Sequence, residues 1–286
     1  MEADFALALR DSTIGIFGLG LMGGSLALAL KGHCSRIIGF DSDPSTLELA
    51  LSKNIIDQAE GSSVKPLPQV DILILATPVP VILNLIQQLP SLMPNPCIIL
   101  DLGSTKRDIV DAMSTLPRCF EPMGGHPICG KEKLGLENAD KNLYEDAPFV
   151  ITPLEGTTQK AKSAVTQMIS VIGAHMIEMS ASDHDRILAS TSHLPFLLSS
   201  ALAHATPQEF AALAGPGFRS TSRLAGTPPH MMMGILKSNR DNVLKAIGDF
   251  YRSLNEMEAV LQDENYMELE LILNQSRTSY LTITEN

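Results

Sequence analysis

Between Ser12 and Ser180 short apolar runs alternate with stretches whose apolar residues recur every three or four positions. That alternation is the mark of βαβ units feeding a parallel sheet. Strands are predicted at 13–17, 36–40, 72–76, 97–100, 119–121, 149–152 and 175–179. Helices are predicted between most of them, at 21–31, 45–52, 79–89, 106–113 and 158–172. Past Ser182 the pattern changes: strand-like runs stop and helical spacing continues, predicting helices at 183–203, 207–213, 228–238, 240–261 and 265–275. Asp183 is placed to cap the first of these and Pro195 to kink it. The expected architecture is an α/β, doubly wound Rossmann-type sheet over residues 1–182, followed by an all-helical domain over 183–286.

Composition supports two cores. The chain has 286 residues, 44% hydrophobic and 19% charged, which is long for one core and too apolar for disorder. A formal net charge of −11 leaves no electrostatic footprint for nucleic acid or an anionic membrane. An anionic small molecule would therefore have to meet a local cationic pocket. No apolar run approaches the roughly 20 residues of a membrane span. Glu2 and Asp4 stand where a signal peptide carries positive charge, so a cytoplasmic protein is expected. Cys34, Cys97, Cys119 and Cys129 lack metal-ligand or redox-pair spacing and read as reduced thiols with no metal site, those beside strands as small buried hydrophobes.

The first apolar run leads straight into Gly18-Leu19-Gly20-Leu21-Met22-Gly23 and then into an apolar helix. In that context Gly-x-Gly-x-x-Gly is the dinucleotide fingerprint. Gly18 makes the tight turn, Gly20 admits a pyrophosphate to the backbone, and Gly23 lets helix approach strand. The second run ends in Asp41, the acid expected on a ribose. Its charge disfavours a 2′-phosphate, and the following Ser42-Asp43-Pro44 offers no arginine to hold one, so NAD is expected over NADP. Thr77 and Pro78, after the 72–76 run, fall at the same sheet edge and are candidates for the nicotinamide pocket.

Two further segments end at that edge: Asp101-Leu-Gly-Ser104-Thr-Lys106 and Gly124-Gly-His126-Pro-Ile-Cys-Gly130. His126 is a candidate general base by its chemistry. Together with Ser192-His193-Leu-Pro195 and Gly217-Phe-Arg219-Ser-Thr-Ser-Arg223, these segments closely resemble the prephenate/arogenate dehydrogenase family, in order and over nearly the whole chain. The resemblance implies oxidative decarboxylation of prephenate or arogenate with hydride transfer to NAD, in tyrosine biosynthesis. It implies that His126 accepts the ring-hydroxyl proton and that Ser104 orients it. Arg223, with Arg219 and His193, would bind substrate, and Glu132 would help gate the pocket. It also implies that the helical domain makes a homodimer, with no appended regulatory domain expected. A β-hydroxyacid dehydrogenase or an imine reductase would lack the Gly-Gly-His-Pro segment. A non-catalytic NAD-binding protein would not need His126, Ser104 and Arg223 together.

Overall fold

A computed structural model describes residues 7–61, 66–93, 95–131 and 133–284. Eight strands form one sheet in the order β3-β2-β1-β4-β5-β6-β7-β8. They are β1 (Thr13–Phe17), β2 (Arg36–Asp41), β3 (Gln58–Gly61), β4 (Ile72–Leu75), β5 (Ile98–Asp101), β6 (Glu121–Pro127), β7 (Pro148–Pro153) and β8 (His175–Glu178). All neighbours run parallel except β6 and β7, which are antiparallel. The chain winds outward from β1 through β2 to β3, then returns past β1 to β4. The switch point between β1 and β4 is where such sheets open a ligand crevice.

Near-continuous apolar runs such as Ile72-Leu-Ile-Leu75 form strands because both faces of the sheet are covered. Helices α1 (Leu21–Leu30) and α5 (Gln159–Val171) bury Leu26, Leu30, Val165 and Met168 on one face. Helices α3 (Val79–Leu92) and α4 (Arg107–Ser114) bury Ile82, Ile86, Ile109 and Met113 on the other, and α2 (Pro44–Ser52) packs beside α1's layer through Ala50.

The sequence pattern misplaced three features of this domain. Strand β3 went unread because its residues, Gln-Ala-Glu-Gly, are half-buried at the sheet edge and carry no apolar run. Strand β6 was expected to stop at residue 121 but continues to Pro127, so His126 is a strand residue paired with Val150 and not a loop residue. Of the thiols expected to be buried beside strands, Cys97 is buried but Cys119 is exposed.

From Ala181 onward the chain is helical: α6 (Ala181–Leu188), α7 (Leu194–Ala205), α8 (Pro216–Thr221), α9 (Pro229–Ser238), α10 (Arg240–Gln262) and α11 (Tyr266–Thr284). The cap of α6 is Ser180, whose Oγ accepts the Asp183 amide at 3.0 Å, rather than Asp183 itself. Residues 189–193 form a π-helical turn, and Pro195, which has no N–H to donate, follows directly after that widened turn at the start of α7. The expected 183–203 helix is thus two helices joined by that turn. The small core here is Ala189, Val243 and Ala246. Large apolar side chains stay exposed along α10 and α11, including Leu254, Tyr266, Met267, Leu271, Tyr280 and Ile283. No helix among the described residues is long and apolar enough to cross a membrane.

Candidate active site

The glycine loop closes onto the end of β4. Gly18 has φ +87°, and a Cβ there would lie 2.7 Å from the Ala76 carbonyl; one on Gly23 would lie 1.9 Å from the Gly18 carbonyl. Gly20, the residue before α1, faces open space with nothing within 4 Å of its missing Cβ. That is a cradle left for a ligand's phosphates at the N-terminus of a ten-residue helix. Asp41 holds the loop from β2: its Oδ2 accepts the Leu19 amide at 2.8 Å and its Oδ1 the Asp43 amide at 3.0 Å. Each oxygen retains a lone pair for a ribose hydroxyl. Thr77 Oγ1 is buried without a hydrogen-bond partner, an arrangement proteins avoid unless a ligand completes it. The open cradle, the acid and the orphaned hydroxyl all fit a dinucleotide.

Gly20→Val is accordingly expected to leave thermal stability near wild type while raising the NAD dissociation constant at least about tenfold, by placing a branched side chain where phosphate must approach. Isothermal titration calorimetry alongside a melting curve checks both halves.

A cavity of about 390 Å³ opens from this crevice, lined by Gly20, Leu21, Met22, Thr77, Pro78, Ser104, His126, Cys129, Lys131 and, from α9, His230 and Met231. The fold therefore brings Ser104 and His126 to one cavity with the glycine loop, Thr77 and Pro78. Burial pushes the Cys129 thiol up to about 11, so it is a lining group and not a nucleophile at neutral pH. Arg219 and Arg223 lie outside this lining, exposed on the helical domain. Arg219 donates from Nε to the Ala214 carbonyl at 3.0 Å. Helix α8 ends at Thr221, so the two arginines do not share a helical face. His193 is also outside the lining: it is buried, and its Nδ1 lies 3.2 Å from Asn239 Nδ2. Burial above all, and nearby His184, lower its pKa to about 4. Glu132 falls outside the described residues.

Residues that the sequence reading passed over hold His126 in place. Its Nδ1 lies 2.8 Å from His184 Nε2, and His184 Nδ1 lies 2.8 Å from Asp185 Oδ1. Asp185 in turn accepts the backbone amides of Lys106 at 2.7 Å and Arg107 at 2.9 Å, capping α4 from another domain. Behind His126, the fully buried Lys106 ammonium pairs with Asp101 and donates to the Gly125 carbonyl at 2.6 Å. Asp101 also accepts the amides of Gly103 at 2.8 Å and Gly125 at 3.1 Å. A Cβ on Gly125 would come within 2.6 Å of the Asp101 carbonyl, so the glycine preceding His126 is what lets β6 sit against this clamp. Burial pushes Asp101 up and Lys106 down, and each is opposed by the other's charge. Burial first, then His184, Lys106 and His193, hold the His126 imidazole well below its ordinary value.

Residues 26–178 match the family described as prephenate dehydrogenase, nucleotide-binding domain, and residues 180–275 match prephenate dehydrogenase, dimerization domain. The chain belongs to the prephenate dehydrogenase family. Among curated prephenate dehydrogenases, that of Bacillus subtilis is 32% identical over 263 residues, 88% of this chain and 71% of the relative. The solved prephenate dehydrogenase of Aquifex aeolicus, in complex with hydroxyphenyl propionate and NAD+, superposes with a TM-score of 0.87 at 30% identity, over 97% of this chain and 100% of that one. The Synechocystis arogenate dehydrogenase superposes at 0.80 and 30% identity, over 95% and 100%.

Proposed function

We propose that this protein is an NAD-dependent dehydrogenase that oxidatively decarboxylates prephenate or arogenate, the reaction that aromatises the ring to give 4-hydroxyphenylpyruvate or tyrosine. The observation that carries the reading is a single cavity lined by the glycine loop, Thr77, Ser104 and His126. NAD, when bound, supplies the hydride acceptor. Gly18, Gly20 and Gly23, with Leu19, Leu21 and Met22, would hold its pyrophosphate, Asp41 its ribose, and Thr77 and Pro78 its nicotinamide end.

His126 takes the proton of the ring hydroxyl as hydride leaves the same carbon. Ser104, on the same cavity wall, orients that hydroxyl. Loss of carbon dioxide from the ring carboxylate then makes the ring aromatic, its electron pair passing to the former hydroxyl oxygen, which takes up a proton again. A dicarboxylate approaching a chain of net charge −11 needs a planar cationic partner. We assign that role to Arg223, with Arg219, His193 and Glu132 as further substrate-site residues.

We further propose that the domain boundary lies at 182/183, in keeping with family matches that meet between residues 178 and 180. The exposed apolar faces of α10 and α11 and the dimerization-domain match support a homodimer. The four free thiols suit a reducing cytoplasm.

Incubation of the purified protein with prephenate or arogenate and either NAD or NADP, followed by reduced-cofactor absorbance, tests the reading. Reduction of NAD in preference to NADP is expected with at least one substrate. No reduction with either would overturn it.

A further inference from the structure

A general base needs a lone pair on the nitrogen that faces its substrate, and neutral histidine favours the opposite form in water, with the proton on Nε2. The contacts behind His126 reverse that preference. Asp185 accepts two backbone amides, and its carboxyl lies below the usual range: burial works against this, but the hydrogen bonds from His184, Arg107 and Lys106 outweigh it. An ionised carboxylate only accepts, so His184 Nδ1, 2.8 Å away, must carry the proton. With one proton on the His184 ring, held at Nδ1, its Nε2 is a lone pair, and His126 Nδ1, 2.8 Å from it, donates.

We propose that His184 and Asp185 are positioning residues that lock His126 as its Nδ1–H tautomer, leaving Nε2 free toward the cavity as the base. The inference about the tautomer stands on these contacts with one proton on each imidazole, while its catalytic consequence rests on the function proposed above. Neither residue lines the cavity, and both are buried. When His126 becomes charged, its Nδ1–H still points at His184, and the Asp185 carboxylate lies behind to oppose the charge.

The lock also couples the two domains. Asp185 caps α4, and Asn239, at the junction of α9 and α10, donates to the Asp185 carbonyl at 2.7 Å. Thr105 Oγ1 meets Ser238 Oγ at 2.8 Å across the same seam. Other titratable groups around the pair are Lys106 and Asp101 from the β5–α4 segment, Asp108 on α4 and His193 on the π-helical turn. None of them meets His184 Nε2, so the direction of the His126 bond is set by Asp185.

The decisive measurement needs no substrate. In the full-length wild-type protein labelled with ¹⁵N-histidine, ring nitrogen shifts distinguish a protonated nitrogen from a lone pair. The chain has seven histidines, and a His126→Gln sample identifies the signal. The expected result at neutral pH is His126 with Nδ1 protonated and Nε2 bare; a proton on Nε2 overturns the lock, whether or not the enzyme reduces NAD.

Kinetics give the second arm. His184→Phe removes the acceptor while keeping a ring, and should lower kcat about 10²-fold with little change in KM for NAD. His184→Gln, whose carbonyl can accept from His126 while its amide donates to Asp185, should recover most of that loss. Equal losses in both variants with an unchanged His126 signal would mean a merely structural role and overturn the proposal.

Discussion

Replacing His126 with Asn is expected to lower turnover about 10³-fold while leaving NAD affinity nearly unchanged. Asn fits the space and its side-chain amide can still meet His184, so β6 has no reason to shift. It has no basic nitrogen, and a positioned general base contributes roughly 10²- to 10⁴-fold. The groups assigned to NAD, the glycine loop and Asp41, are held by contacts that do not pass through His126. Steady-state kinetics with saturating substrate, paired with a calorimetric NAD titration, check both parts, and near-wild-type turnover would remove His126 from the base's role.

The pH dependence follows from the same residue. A base works only unprotonated, and burial above all, with the Lys106 ammonium nearby, depresses the pKa of His126. The wild-type kcat/KM should therefore be level near neutrality and fall only as pH drops below the ordinary histidine value of about 6.5. Whatever activity His126→Asn retains should lack that acid limb.

His126 was visible in the sequence because it sits between glycines and a proline after an apolar run; its supports were not. In Asp183-His-Asp-Arg186 only the cap position of Asp183 drew notice; Asp183 and Arg186 are exposed and form an ion pair. His184 and Asp185 point the other way and are buried, but only the packing of α6 against α4 reveals it. Helical periodicity marks apolar stripes and has no means of flagging a polar pair turned inward.

The Rossmann half was legible for the opposite reason. Apolar runs such as Ile72–Leu75 are buried on both faces, and the glycine spacing is dictated by contacts as close as that between Gly23 and the Gly18 carbonyl. Strand β3 escaped because an edge strand needs no apolar run. The arginines show the limit of spacing arguments: four residues apart suggests one helical face, but α8 ends between them at Thr221.

Lys106→Met should destabilise the nucleotide-binding half by about 3–5 kcal/mol. Lys106 was readable only as a helix start, yet its ammonium lies fully buried between Asp101 and the Gly125 carbonyl. Methionine fills much of the same volume, so the cost is electrostatic rather than a cavity. Asp101 would be left buried with two backbone amides and no cation, and Gly125 with one donor fewer. Removing one member of a buried pair is far worse than removing both, because the survivor keeps its desolvation penalty. Asp101→Asn combined with Lys106→Met should therefore recover part of the loss. For a chain of this size the single change corresponds to a melting point lower by about 10 °C. Urea midpoints for the single and double variants measure both; a loss under about 1 kcal/mol for Lys106→Met would show that the clamp does not hold β5 against β6. Because that clamp fixes the backbone on which His126 stands, any folded Lys106→Met enzyme should also lose turnover at temperatures well below its melting point.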